Sequence, residues 1–305
     1  MCYNLTMKYD IVIIGAGIAG LTAAIYAKRA SKNVIVFESL ACGGQAMQTD
    51  KIKNYPGFEE ISGPELTEKI YHQVNNLGVK IHSEEVISCK KDGANFTIKT
   101  DEGEYTAKAV IIATGAKDKP MGAKNELEMV GKGVSYCAAC DGALYRDKAV
   151  AVVGGGNSGL YAALYLADIA EKVYLLNRGA EFNGEQMTVE ALENKPNVEF
   201  VLNATVAEVL GSENVEGLKI KSAKGEEILP VEGVFVNVGK APNTGIFQDL
   251  VKLDEFGYVI AGEDCQTSCS LAYVAGDCRT KELRQLVTAA ADGAVAASMA
   301  VQNLR

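Results

Sequence analysis

Cys137 and Cys140 stand three residues apart in Ser135-Tyr136-Cys137-Ala138-Ala139-Cys140-Asp141-Gly142, near the middle of the chain. On one helical turn at a helix N-terminus, such thiols meet as a disulfide. The unsatisfied backbone N–H groups and the helix dipole there stabilise a thiolate, so the spacing is that of a redox pair. The same residues also fit half of a zinc site, or two buried structural thiols. Zinc needs a second ligand pair, and no other C-x-x-C or H-x-x-x-H spacing occurs. No metal is expected.

A redox pair needs a source of electrons, and the elements on either side have the pattern of nucleotide-binding units. The apolar run Tyr9 to Ile14 predicts a strand, Gly15-Ala16-Gly17-Ile18-Ala19-Gly20 a phosphate loop, Leu21 to Arg29 a helix, and Asn33 to Phe37 a second strand that leads to Glu38. Gly15 makes the tight turn, Gly17 lets backbone approach a pyrophosphate, and Gly20 lets helix pack on strand. Glu38 is placed to accept hydrogen bonds from ribose hydroxyls. The arrangement returns with a strand Ala149 to Val153, the loop Gly154-Gly155-Gly156-Asn157-Ser158-Gly159, a helix Leu160 to Ala170 and a strand Lys172 to Leu176. The offset between Gly15 and Glu38 recurs between Gly154 and Asn177, where an amide replaces the acid.

Short strands follow each unit. Asn95 to Thr100 and Glu104 to Ala109 predict a hairpin, and Val110 to Gly115 a buried strand. Val198 to Val201, Gly217 to Ser222, Glu227 to Pro230 and Val234 to Val238 repeat the pattern. Leu271 to Asp277 predicts a strand ending in an acid, and Arg284 to Leu304 a small-residue helix. The fold class is therefore α/β, with two Rossmann-like three-layer domains of dinucleotide-binding type, the second inserted into the first. Residues 1–116 and 246–305 form one and residues 117–245 the other, with crossings at Lys117 to Gly122 and Gly239 to Gly245.

A chain of 305 residues that is 48% hydrophobic is long and apolar enough for two packed domains. Its net charge of −9 argues against a nucleic-acid partner. The eight cysteines (2, 42, 89, 137, 140, 265, 269 and 278) are scattered, which fits a reduced cytoplasmic protein; packing is the expected role of Cys265, Cys269 and Cys278, with additional redox thiols the alternative. Ile11 to Ala27 carries no charge, but its glycines and its length, short of the ~20 apolar residues of a bilayer span, argue for a soluble protein rather than a membrane one.

Several motifs together resemble the low-molecular-weight thioredoxin reductases over nearly the whole chain: the first glycine loop with Glu38, Cys42-Gly43-Gly44-Gln45, Asn54-Tyr55-Pro56-Gly57, Ala113-Thr114-Gly115, Cys137 to Gly142, Ala275-Gly276-Asp277, and Arg284 to Ala290. The resemblance implies an FAD lined by Gly15, Gly17, Ala19, Gly20, Glu38, Gly44, Gln45, Asn54, Ala113, Thr114, Gly115, Gly276, Asp277, Arg284, Gln285 and Leu286, with Asp277 on the ribityl chain. It implies a homodimer and thioredoxin as partner. Cys140 would face the flavin, Cys137 would attack the partner disulfide, and Asp141 would handle protons. A carboxyl buried beside thiols has its pKa raised by desolvation and can protonate a leaving thiolate near neutral pH. Helix capping is the structural alternative for Asp141. The two histidines, His72 and His82, lie near no motif.

The chain departs from the family in the second unit. NADPH-using members carry a Glu-Glu pair on the helix and a His-Arg-Arg triplet after the strand; here those positions read Tyr161-Ala162 and Asn177-Arg178-Gly179. An arginine fork is the natural clamp for a 2′-phosphate, and Asn177 is no substitute acid for an NADH ribose. The pattern is similar to the ferredoxin-dependent flavin thioredoxin reductases, which makes ferredoxin the expected donor. An acidic ferredoxin would dock on a basic patch, for which Lys28, Arg29, Lys32, Lys51 and Lys53 are candidates, a scattered solvated face being the alternative. A conventional NAD(P)H-dependent thioredoxin reductase and a non-catalytic FAD-binding redox sensor are the alternative functions.

Overall fold

The computed structural model describes residues 7–49, 52–222 and 225–304. They form two compact units, one ending at Lys117 and resuming at Ala241, the other Asp118–Lys240.

The first unit is built on strand β1 (Met7–Ile14), helix α1 (Ile18–Arg29) and strand β2 (Val34–Glu38). Helix α2 (Gly63–Asn76), β3 (Lys80–Ser83), β4 (Val86–Asp92), β5 (Asn95–Thr100) and β6 (Glu104–Ile112) follow. The sheet runs β3-β2-β1-β6-β5-β4. Alternation sorts its side chains: Ile11, Ile13, Val34, Val36 and Ile111 pack under α1, while Val12, Ile14, Ile35, Phe37 and Ile112 face the opposite core.

Two sequence expectations change here. The predicted hairpin strand and the buried strand after it are one element, β6, whose first part pairs antiparallel with β5 and whose end pairs parallel with a later strand. Continuous backbone pairing joins what the change from mixed to apolar composition divides. The helix also starts at Ile18 rather than Leu21, because the last three loop residues, Ile18 to Gly20, already have helical backbone, while Gly17 is extended. Gly15 sits at φ 105°, and a Cβ there would lie 2.4 Å from Ala113 O. A Cβ on Gly20 would lie 1.9 Å from Gly15 O, so the helix reaches the strand end only with glycine at that position.

In the second unit, β7 (Ala116–Asp118) enters from the first, followed by β8 (Val134–Ser135), α3 (Ala138–Asp141), β9 (Ala149–Val153), α4 (Asn157–Ala167), β10 (Lys172–Asn177), α5 (Gln186–Glu193) and β11 (Val198–Leu202). Strands β12 (Thr205–Leu210), β13 (Gly217–Ser222) and β14 (Gly225–Leu229) form an antiparallel three-stranded sheet. With β15 (Gly233–Val236), the main sheet is β11-β10-β9-β15-β8, parallel throughout. Alternation again divides its two cores: Val150, Val152, Val173 and Leu175 face α4, and Ala151, Val153, Leu176 and Val234 face β12 and β13. Helix α4 starts at Asn157, three residues before the predicted Leu160, for the same reason as α1.

The chain returns through β16 (Lys240–Pro242), which pairs with β7. The predicted strand Leu271 to Asp277 shortens to β17 (Ala272–Val274), and the last helix, α6, is Leu286–Asn303. Arg284 precedes that helix and Gln285 caps it, its side chain and that of Thr288 forming a reciprocal capping box. Among the described residues no helix is long and apolar enough to cross a membrane.

Candidate functional site: a dithiol turn and a nucleotide cradle

Cys137 and Cys140 are joined as a disulfide, with their Cα atoms 5.3 Å apart. Strand β8 delivers Cys137 to the N-cap of the one-turn helix α3, where its Sγ accepts the backbone N–H of Cys140 at 3.2 Å. That position favours negative charge on the Cys137 sulfur once the bond is reduced. Cys140 is exposed and Cys137 half-buried.

Ser135, which the sequence reading left without a role, organises the turn. Its Oγ accepts the Cys137 N–H at 3.0 Å and donates to Asp141 Oδ2 at 2.6 Å, the length of a charge-assisted O–H···O bond. Asp141 is half-buried rather than buried, because α3 ends at it and turns it towards the surface. A second support comes from Glu126, whose carboxylate accepts the N–H groups of Met121 and Gly122 at 2.8 Å each, that of Ala123 at 3.3 Å, and the Tyr136 hydroxyl at 2.8 Å. Burial and then this bond to Glu126 push the Tyr136 phenol far up, so it stays a donor. Neither Ser135 nor Glu126 has a spacing signature, since both act through the tertiary arrangement.

The nucleotide-type residues of the first unit gather at the ends of β1 and β6 and the starts of α1 and α6. Glu38 accepts the Ala16 N–H at 2.8 Å and the Leu40 N–H at 2.9 Å, one on each oxygen. Each oxygen keeps a further acceptor site. Gly44 packs against Gly17, Gly276 against Ala19, and Ala113 against Gly15. Asn54 Nδ2 donates to Gln285 Oε1 at 3.0 Å, Gln45 Nε2 donates to Ala116 O, and Thr114 Oγ1 donates to Asn243 O at 2.6 Å. Leu286 opens α6 and packs with Ile52, Ile61 and Leu66. Asp277 is half-buried beside Gly276, in the loop after β17.

These residues fit FAD. A Cβ on Gly17 or on Gly115 would meet nothing within 4 Å, so open space lies over the phosphate turn and over the end of β6. Arg284 lies over the Tyr258 ring at 4.1 Å, and its buried Nε has no hydrogen-bond partner among the described residues, a donor waiting for an acceptor.

The second glycine loop keeps the same open space at Gly156, where a Cβ would meet nothing within 4 Å, but has an amide, Asn177, in place of the acid. Asn177 is buried: its amide sits where a Gly155 Cβ would clash at 2.5 Å, and its Nδ2 donates to Glu181 O at 2.6 Å. Arg178 is exposed and Gly179 offers no side chain. Tyr161 donates to Glu185 Oε2 at 2.6 Å.

Lys53 pairs with Glu60 at 3.2 Å, Lys28 and Arg29 lie in the last turn of α1, where cations complement the helix dipole, and Lys51 lies outside the described residues. Burial pushes the thiols of Cys42, Cys265 and Cys278 up to about 11 and that of Cys89 up to about 12. Cys2 lies outside the described residues. Among them, no group of three or more His, Cys, Asp or Glu is placed to hold a metal ion.

Two dinucleotide-type units, one with an acid-backed phosphate turn and the other with a disulfide at a helix start, define a flavin-linked disulfide oxidoreductase. The family model for pyridine nucleotide-disulphide oxidoreductases matches residues 9–293. The chain is 40% identical over 299 residues to a thioredoxin reductase of Listeria innocua, covering 94% of this chain and 91% of that protein. Its fold is similar to that of Lactococcus lactis thioredoxin reductase, with a TM-score of 0.92 and 34% identity over 97% of this chain and 99% of that one. A ferredoxin-flavin thioredoxin reductase from Clostridium acetobutylicum is 35% identical, with a TM-score of 0.54, over 98% of this chain and 99% of that one. The chain belongs to the low-molecular-weight thioredoxin reductase family, whose members are FAD flavoproteins.

Proposed function

We propose that this enzyme reduces the disulfide of thioredoxin through Cys137 and Cys140, and that its electrons come from reduced ferredoxin rather than from NADPH or NADH. The unit that ends at Lys117 and resumes at Ala241 is the FAD domain, and Asp118–Lys240 carries the dithiol. The glycine turn, Glu38, Asn54, Asp277, Arg284 and Gln285 would hold FAD, which when bound would supply reducing equivalents for the Cys137–Cys140 disulfide.

The chain's own residues then carry the exchange. The Cys137 thiolate, favoured by its N-cap position, attacks one sulfur of thioredoxin; a mixed disulfide forms and the second thioredoxin sulfur leaves as thiolate. The Cys140 thiolate next attacks Cys137 Sγ, which restores the 137–140 bond and releases the first thioredoxin sulfur. Two electrons have passed to thioredoxin, and its two thiolates take up two protons. Asp141 takes the proton that Cys140 loses on becoming thiolate and delivers it to one of them through the carboxyl oxygen that Ser135 does not hold, and solvent supplies the other proton. Burial leaves the Cys42, Cys89, Cys265 and Cys278 thiols largely protonated at neutral pH and poor competitors for this role.

The donor assignment rests on Asn177-Arg178-Gly179. A 2′-phosphate is held by paired guanidinium forks, and one exposed arginine supplies half of that charge. An NADH ribose calls for an acid, and the Asn177 amide is already committed to Glu181 O. Anaerobic mixing of oxidised enzyme with NADPH, NADH or reduced ferredoxin, followed at the flavin band, tests the donor. Prompt bleaching by ferredoxin alone is expected; bleaching by micromolar NADPH would refute it. The enzyme is further proposed to work as a homodimer in the reducing cytoplasm, which a sizing measurement of the purified protein checks for oligomeric state.

A further inference from the structure

A buried polar cluster in the first unit has no part in the roles assigned so far. Asp292 lies in the middle of α6, among alanines and a glycine. Its Oδ2 accepts the Gly276 backbone N–H at 3.0 Å, Arg279 Nε at 3.0 Å and Lys281 Nζ at 2.7 Å, and its Oδ1 accepts Arg279 Nη2 at 3.1 Å. The Arg279, Lys281 and Asp292 side chains are 11%, 7% and 9% exposed. Arg279 Nη1 donates to Ala261 O and Thr280 O. Two cations thus meet one carboxylate in the interior.

Such an arrangement is weak evidence for stability, because apolar packing serves a core at least as well. What distinguishes it is the group that the carboxylate holds. Gly276 has φ 82°, and a Cβ on it would lie 2.9 Å from Ala19 Cβ in the first turn of α1. The Ala275–Gly276 peptide and the Gly276 Cα are therefore held between Asp292 and the phosphate-turn helix. Arg279 donates to both carboxylate oxygens, and Lys281 to Oδ2, the oxygen that also accepts the Gly276 N–H.

We propose that Asp292 is a positioning residue of the flavin pocket: held through both oxygens by Arg279, it fixes the Gly276 amide and so aims Asp277. This rests on the proposed placement of FAD at Asp277. The test compares holoenzymes of the parent, Asp292→Asn, Lys281→Met, the double variant of both, and Asp277→Asn. FAD affinity, and at saturating FAD the visible band and midpoint potential, are measured. The double variant keeps the cluster's excess charge and serves if Asp292→Asn alone does not fold.

Both Asp292 variants should hold FAD about ten- to a hundredfold more weakly, the worth of a hydrogen bond to a charged group, with band and potential shifted at saturation. Lys281→Met keeps the Gly276 and Arg279 contacts and should stay within about twofold of the parent affinity. Parent band and potential in saturated Asp292 variants would overturn the inference, even with a lower Tm, since that is what a purely structural role predicts. A tenfold loss in Lys281→Met would also overturn it, by making cluster charge the determinant. An Asp277→Asn enzyme with unchanged affinity and band would instead sink the placement of FAD at Asp277.

Discussion

Replacing Ser135 with alanine should separate proton handling at the dithiol from flavin binding. The serine is 6% exposed, so water does not readily replace its hydroxyl. Three contacts are lost: the 2.6 Å donation to Asp141 Oδ2, the longer 3.3 Å approach to Cys137 O, and the 3.0 Å acceptance of the Cys137 N–H. A hydrogen bond to a charged group contributes about 1.5–3 kcal/mol. If that energy holds Asp141 in place while thioredoxin thiolates are protonated, its loss lowers the rate about 10- to 150-fold. The assay is donor-independent: enzyme reduced beforehand is mixed anaerobically with oxidised thioredoxin, and loss of the thioredoxin disulfide is followed in a single turnover. Bound FAD should match the parent, because its proposed ligands lie in the other unit. Ser135→Thr, which keeps the hydroxyl, should recover most of the rate. A folded Ser135→Ala enzyme within twofold of the parent rate would refute the reasoning.

Cys137→Ser should abolish thioredoxin reduction and leave the flavin spectrum and content unchanged; retained turnover would remove Cys137 from the exchange. Asn177→His with Gly179→Arg should raise the rate of flavin bleaching by NADPH at least about tenfold, the worth of one regained charge-assisted contact in stopped-flow mixing. Gly15→Ala places a Cβ 2.4 Å from Ala113 O at a positive φ, and should cost about 1–3 kcal/mol in urea unfolding together with loss of bound FAD. Burial works against ionisation of Glu84, but hydrogen bonds from Thr100, His82 and Tyr105 outweigh it and hold its carboxyl below the usual range. A depressed folded-state pKa stabilises above the unfolded value of about 4.3 and is lost as pH falls through the folded one. Tyr105→Phe should therefore flatten the acid limb of a stability–pH curve measured by urea unfolding.

Parts of this enzyme that act through contiguous backbone can be read without coordinates. The turn at Gly15, the acid at Glu38 and the Cys137–Cys140 spacing are such parts, since a phosphate turn, a strand end and one helical turn each span a few residues. The Asn177-Arg178-Gly179 departure is equally local. Element ends are read less well: the join of β6 across Ala109 and Val110, and the early starts of α1 and α4, depend on pairing partners and on glycine backbone that hydrophobic pattern does not report.

Sequence alone therefore determined the two glycine-loop units, the dithiol and the altered Asn177-Arg178-Gly179 segment, because each is set by residue type at fixed short spacing. Only the tertiary structure decided which side chains serve them. Ser135 meets Asp141 because α3 turns back after Cys137, and Asp292 meets Gly276 because α6 lies along the loop after β17. It also turned Asn177 inward onto Glu181 O and left Asp141 half-buried. Hydrogen bonds of this kind depend on direction and distance in three dimensions, and no periodicity along the chain encodes them.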